Sequence, residues 1–246
     1  MWYRSENTER KNISVKNYFN DLYGGILYFK ENHAAFVICI IGFLLNITAV
    51  PLEKLQAAYV NECLRLGVNA MSVGSIFMTC GLLSGTIVFV YISQKFTTKQ
   101  ILIYCGALIG VLYFSLMYIG LISFIPMRYM AYAAILGIFG FINSLIGMSV
   151  QVAFMSSTPD GYIGRVGSIF NAIACSSIPV GSFLLAMIFP FLSIVQTYFY
   201  FGIATIFIFL LLGRLKSMKI LDNSFWSLNI CAEISGNKLT VSVYFR

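Results

Sequence analysis

Four side-chain amides lie inside stretches that otherwise carry little that is polar: Asn46, Asn143, Gln151 and Asn171. An amide brings two donors and an acceptor. In apolar surroundings it must therefore either bond a neighbouring helix or hydrogen-bond something that enters, such as a small-molecule cargo. Asn143, Gly147 and Gln151 are four apart, which puts them on one slowly drifting helical face. Phe43, Phe139, Phe170 and Phe183 lie in the same stretches and can add apolar contacts.

A second group is the segment "STPDGYIGRVGSIFN" at 157–171. Pro159, Gly161 and Gly164 stop one helix and start another, Ser157 or Thr158 can cap, and Asp160 suits the positive start of the next helix. Asp160 and Arg165 are candidates for a gating loop; a plain turn explains the same composition. The following helix contains Pro179, which removes a backbone donor, amid Ser176, Ser177, Gly181 and Ser182. Pro179 and Gly181 are therefore candidate hinge residues.

Other chemistry has little to stand on. The inner parts of the apolar runs hold no Asp, Glu, Lys, Arg or His, and His33 is the sole histidine. Without a buried carboxylate pair, a nucleophile with its base or a metal-ligand cluster, no catalytic residue, metal site or cofactor is expected, and an enzyme is disfavoured. The six cysteines show no CxxC spacing and are expected to pack in the core. Glu53 and Lys54, just after Pro51, make either a gate pair or ordinary interfacial charges.

The elements that position these residues follow from composition. The chain has 246 residues, 59% hydrophobic and 10% charged, far from a soluble domain's balance. Runs at 34–50, 72–92, 101–124, 129–154, 167–189 and 194–212 each approach or exceed the roughly 18–20 residues that cross a bilayer as helix. They are continuous rather than alternating, which excludes barrel strands. The expected fold is all-α: a polytopic membrane bundle of six transmembrane helices. It divides into a cytoplasmic segment at 1–33, a transmembrane domain at 34–213 and a cytoplasmic tail at 214–246.

Lys and Arg set the orientation. One side carries Arg4, Arg10, Lys11, Lys16, Lys30, Lys95, Lys99, Arg165, Arg214, Lys216 and Lys219, the other only Lys54, Arg65 and Arg128. Both termini are thus expected in the cytoplasm, and the net charge of +7 reflects topology in a lipid bilayer rather than nucleic-acid binding. No cleavable secretory pattern precedes the first run, so it is expected to be retained. Tyr18, Phe19, Leu22, Ile26 and Phe29 recur at helical spacing, as in an amphipathic helix at the membrane face or docked under the bundle. The tail after Ser217 alternates about Ser235, Gly236 and Asn237, as in a short hairpin, though disorder or surface association fits equally. Gly81/Gly85 and Gly106/Gly110 offer close-packing surfaces, within the chain or between two copies.

The stretch "STPDGYIGRVGSIFNAIACSSIPVGSFLLAMI" resembles the loop and eleventh helix of major facilitator superfamily exporters of the macrolide-efflux-like and siderophore-exporter-like branch. "YFNDLYGGILYFKENHAAFVICIIGFLLN", with its D-L-x-x-G-x-x-Y, is similar to that branch's central cytoplasmic loop and seventh helix. The segment "VYISQKFTTKQ" departs from the superfamily's loop signature, lacking its acidic residue and full G-R-K pattern. The resemblance implies the C-terminal half of a twelve-helix transporter, built as two inverted three-helix repeats, that exports amphipathic small molecules by alternating access. It also implies a partner, either a matching N-terminal six-helix half or a second copy. Asn46, Asn143, Gln151 and Asn171 would then face cargo, and proton coupling would need groups outside this chain. The competing expectation is a noncatalytic membrane scaffold.

Overall fold

The computed structural model describes Phe29 and residues 32–158 and 163–214. They form α1 (His33–Ala58), α2 (Val68–Ile92), α3 (Thr98–Ile119), α4 (Ile125–Ser157), α5 (Ile163–Ile188) and α6 (Ile194–Arg214). A π-helical turn at Tyr59–Cys63 extends α1, and a 3-10 turn at Phe189–Phe191 follows α5. All six helices are long and apolar enough to cross a membrane. The fold is an all-α, multi-pass bundle, the form in which each apolar segment satisfies its own backbone. Asp160, the expected amphipathic segment before Phe29 and the tail after Arg214 lie outside the described residues.

Several boundaries differ from the sequence expectation. The first helix does not stop at Val50 but runs through Pro51, because a missing proline N–H frees only one carbonyl while Leu52, Leu55 and Tyr59 continue the buried face. The third ends early, at Ile119, and the fourth starts at Ile125 with Pro126 in its first turn, where a missing donor costs nothing. Side-chain caps fix other starts. The Asn32 side-chain Oδ1 accepts from the Ala35 backbone N–H at 3.3 Å. Thr97 and Gln100 cap each other's backbone before α3, and Ser193 and Gln196 do the same before α6. In the α1–α2 turn, Arg65 and Gly67 take positive φ of 54° and 75°.

The helices pair selectively: α2 lies along α4, α3 along α6 and α1 along α5, with α4 also against α3 and α1. Lipid supplies no hydrophobic drive between helices, so close backbone approach must hold these seams. Gly81 faces the Gly137 carbonyl and Gly85 the Phe141 carbonyl, each so near that a Cβ would overlap it. Gly106 lies under the Phe209 ring, and Gly110 under Ile206 and the Gly202 carbonyl. Both glycine pairs thus serve seams inside the chain. Cysteine packing is mixed: Cys39 and Cys105 are buried and Cys63 is partly so, but Cys80 and Cys175 are exposed. The expectation that the cysteines fill the core fails for those two, which project from the unpacked sides of α2 and α5.

Candidate functional site

The α1–α5 seam gathers the proline, glycine and one amide. Gly42, Asn46 and Val50 on α1 meet Phe170, Ala174 and Gly181 on α5 in register. Asn46 Nδ2 donates to the Gly42 carbonyl at 3.1 Å and across the seam to the Ala174 carbonyl at 3.3 Å. Gly181 fits against Val50, whose Cγ2 would lie 2.8 Å from an added Cβ. Pro51 follows Val50 on one helix and Pro179 precedes Gly181 on the other, so two donor-deficient helices cross where both are interrupted. Around Pro179 the hydroxyls bond backward, Ser176 to Ile173, Ser177 to Ala174 and Ser182 to Ile178. They support a continuous helix across the proline.

The other amides are placed differently. Asn143 and Gln151 are half-buried on α4, and Gly147 between them is exposed, with nothing within 4 Å of an added Cβ. That leaves a shallow depression flanked by two amides. Asn171 is exposed on the side of α5 turned away from α1, in line with Ser168, Cys175 and Pro179. Among the described residues no hydrogen bond joins any two of the four amides. Arg165 is exposed in the first turn of α5. Phe139 and Phe170 are core residues, the first meeting Tyr113 edge to face and the second stacked on Phe154; the expectation that they reach a cargo is corrected for this packing, while Phe183 is exposed. Glu53 and Lys54 project from α1 into the exposed side, without an ion pair among the described residues.

Sequence reasoning missed three features. On α2, Ser72, Ser75, Thr79 and Thr86 are exposed and recur every three, four and seven residues, forming one hydroxyl stripe. Ser75 and Thr79 bond back to their own helix, while Thr86 also reaches Ser144 of α4 at 2.8 Å. The spacing was visible, but serine and threonine are common in membrane helices and attract no notice singly. Arg128, in the first turn of α4, donates from Nη1 to the Leu64 carbonyl at 2.8 Å and from Nε to the Ile122 carbonyl at 3.0 Å. It thereby ties the ends of α1 and α3, where carbonyls and helix dipoles favour a cation. The third feature is a buried tyrosine cluster between α1, α3, α4 and α6.

Every exposed side carries large apolar residues, Ile76, Leu83 and Ile87 on α2 and Phe183 and Met187 on α5 among them, but small polar ones gather on α2 and α5. Outward residues of α3 and α6 are large and apolar: Tyr104, Leu108 and Val111 on one, Ile203, Phe207 and Leu210 on the other. On α5 the side opposite the core is small or polar for three turns, through Ser168, Asn171, Ala172, Cys175 and Ser176. No group of three or more metal-ligating side chains occurs among the described residues. Compared with protein-family models, curated proteins and solved structures, the chain matches none.

Proposed function

We propose that the chain is one six-helix half of an exporter of the major facilitator type, moving amphipathic small molecules by alternating access in the cell membrane with both termini cytoplasmic. The observation that carries this reading is the helix pairing. Exchanging α1, α2 and α3 for α4, α5 and α6 turns the α1–α5 seam into the α4–α2 seam, α3–α4 into α6–α1, and returns α3–α6 and α1–α4 to themselves. The main helix partners are kept by that exchange, although α1 packs on α6 much less extensively than α3 packs on α4; kept partners are what two inverted three-helix repeats would produce. The reciprocal caps support it, since Thr97/Gln100 and Ser193/Gln196 start the third helix of each unit.

The surfaces support the division of labour. Under the same exchange α2 corresponds to α5, and these two carry the hydroxyl stripe and the Asn171 side, whereas α3 and α6 present lipid-like residues. Asn171, Asn143 and Gln151 then belong to the cargo-facing wall, while Asn46 is engaged at the α1–α5 seam. The crossing of α1 and α5 at Pro51, Pro179 and Gly181 is the place to flex. The partner is a matching six-helix half or a second copy, because one bundle supplies one wall of a shared cavity.

The test is reconstitution of the 246-residue chain alone in vesicles under a pH gradient, measuring uptake of a lipophilic cationic dye. Uptake no greater than in empty vesicles is expected, since the inner parts of the apolar runs hold no carboxylate to carry a proton. Gradient-driven uptake that is lost on Gln151→Ala would replace the half-transporter with a self-sufficient dimer.

A further inference from the structure

Four tyrosines meet inside the bundle, Tyr59 from the end of α1, Tyr113 from α3, Tyr132 from α4 and Tyr198 from α6, all buried. The Tyr198 ring centre lies 5.1 Å from that of Tyr59 and 5.8 Å from that of Tyr113. Three of the hydroxyls are engaged. Tyr59 donates to the Leu116 carbonyl, Tyr113 donates to the Thr48 carbonyl at 2.5 Å, and Tyr132 accepts from Gln56 Nε2 at 2.8 Å. The Tyr198 hydroxyl is buried and has no hydrogen-bond partner among the described residues.

A buried, unpaired hydroxyl is destabilising, and phenylalanine, which this chain uses 22 times, would fill the same space without it. The cost makes sense if the hydroxyl is paired in another arrangement of the same helices. Of its two ring neighbours, Tyr113 is the one whose acceptor, the Thr48 carbonyl, lies beside a break in α1. Thr48 is three residues before Pro51, which leaves the Ile47 carbonyl without its helical donor, and the π-helical turn Tyr59–Cys63 interrupts the same helix again further on. Between the two interruptions residues 52–58 form a short regular stretch of α1 bounded by a break at each end.

We propose that Tyr113 and Tyr198 exchange the Thr48 carbonyl between two packing states, so that bending of α1 at Pro51 is coupled to the position of α6. In the state seen here Tyr113 holds the carbonyl and Tyr198 has no partner among the described residues. In the second, α1 tilts toward α6 and Tyr198 takes the bond. The number of hydrogen bonds is conserved in the exchange, which keeps the two states close in free energy, as a switching element requires. The device follows from packing alone and does not depend on the bundle being a transporter half.

The experiment uses the purified full chain in detergent micelles with two readouts. One is the thermal midpoint, followed with a thiol-reactive dye that reaches buried Cys39 and Cys105 only on unfolding; the other is deuterium uptake over residues 47–63. Tyr198→Phe removes a hydroxyl that is unpaired here and needed only in the second state. It is expected to raise the midpoint by about 2–4 °C and to slow uptake about fivefold. Tyr113→Phe is expected to do the reverse on both. A lower midpoint for Tyr198→Phe, or its failure to fold, would mean that the hydroxyl is already bonded in this state and overturns the exchange. A raised midpoint with unchanged uptake also overturns it, leaving a surplus hydroxyl with no second partner. If Tyr113→Phe does not fold, the two readouts on Tyr198→Phe decide the matter.

Discussion

The side of the bundle formed by α3 and α6 and the sides presented by α2 and α5 are both exposed, yet they are built for different surroundings. Outward from α3 and α6 stand Tyr104, Leu108, Tyr118, Ile203 and Phe207, large side chains of the kind that lipid tails cover. On α2, Ser75 and Thr79 project with hydroxyls turned back onto their own helix, and on α5 Asn171 and Cys175 project beside Pro179. The glycines repeat the contrast. Gly106 and Gly110 of α3 accept the bulk of Phe209 and Ile206, whereas Gly81 and Gly85 of α2 admit the backbone of α4 itself. A helix whose glycine side is filled by a neighbouring backbone and whose opposite side is partly polar is shaped by two interfaces. One of these lies inside the bundle; under the proposed function the other faces cargo.

The sharpest way to break this comparison is at the glycines. Gly81→Val places a Cβ onto the Gly137 carbonyl, a backbone atom that cannot step aside, and is expected to lose about 3 kcal/mol or more. Gly147→Val meets nothing within 4 Å and is expected to keep its yield and its elution as a single peak in size-exclusion chromatography. Equal behaviour of the two variants would refute the packing of α2 on α4. Next in size is a charge on each surface. Leu108→Lys puts an ammonium into lipid at about 3 kcal/mol and is expected to reduce membrane insertion in a glycosylation-mapping assay. Thr79→Lys is expected to insert better, and a matching deficit at both sites would make α2 as lipid-facing as α3.

Arg128 tests whether the ends of α1 and α3 are held as firmly as the seams. Arg128→Met removes its donors to the Leu64 and Ile122 carbonyls, at an expected cost of about 1–3 kcal/mol, visible as a lower thermal midpoint; Arg128→Lys should recover only part of it, because a single ammonium cannot reproduce the fork. The smallest effect needs no mutation. Cys175 lies beside Asn171, whereas Cys80 lies among Ile76, Leu83 and Ile87. A membrane-impermeant thiol reagent applied to open vesicles is expected to label Cys175 several-fold faster than Cys80. Faster labelling of Cys80 would put the more water-accessible surface on the Cys80 side of α2.

Much of the fold was legible before any coordinates, for a simple reason. Backbone polar groups cannot be left open in lipid, so a long uncharged run has one outcome, and six such runs determine six helices. Charged residues at the run ends mark local boundaries; the Pro126 start and the Thr97 and Ser193 caps also act within one turn, yet only the structure located them. Pro51 was the exception: its effect on α1 depends on whether the helix beyond it has something to pack against, and the contacts of Leu52, Leu55 and Tyr59 lie on other helices. The partition of the amides was equally non-local. Asn46 and Asn171 are the same residue type in similar company, but one is turned into the α1–α5 seam and the other away from it, and periodicity gives a face without saying what covers it. Arg128, Gln56 and the four tyrosines carry no motif at all; their partners lie 57 to 76 residues away in the cases of Tyr59, Tyr113 and Gln56. The sequence determined which segments leave water and where each helix can begin. Only the tertiary structure decided which faces meet, because a hydrogen bond across a seam depends on a distance and an angle between helices that the order of residues does not contain.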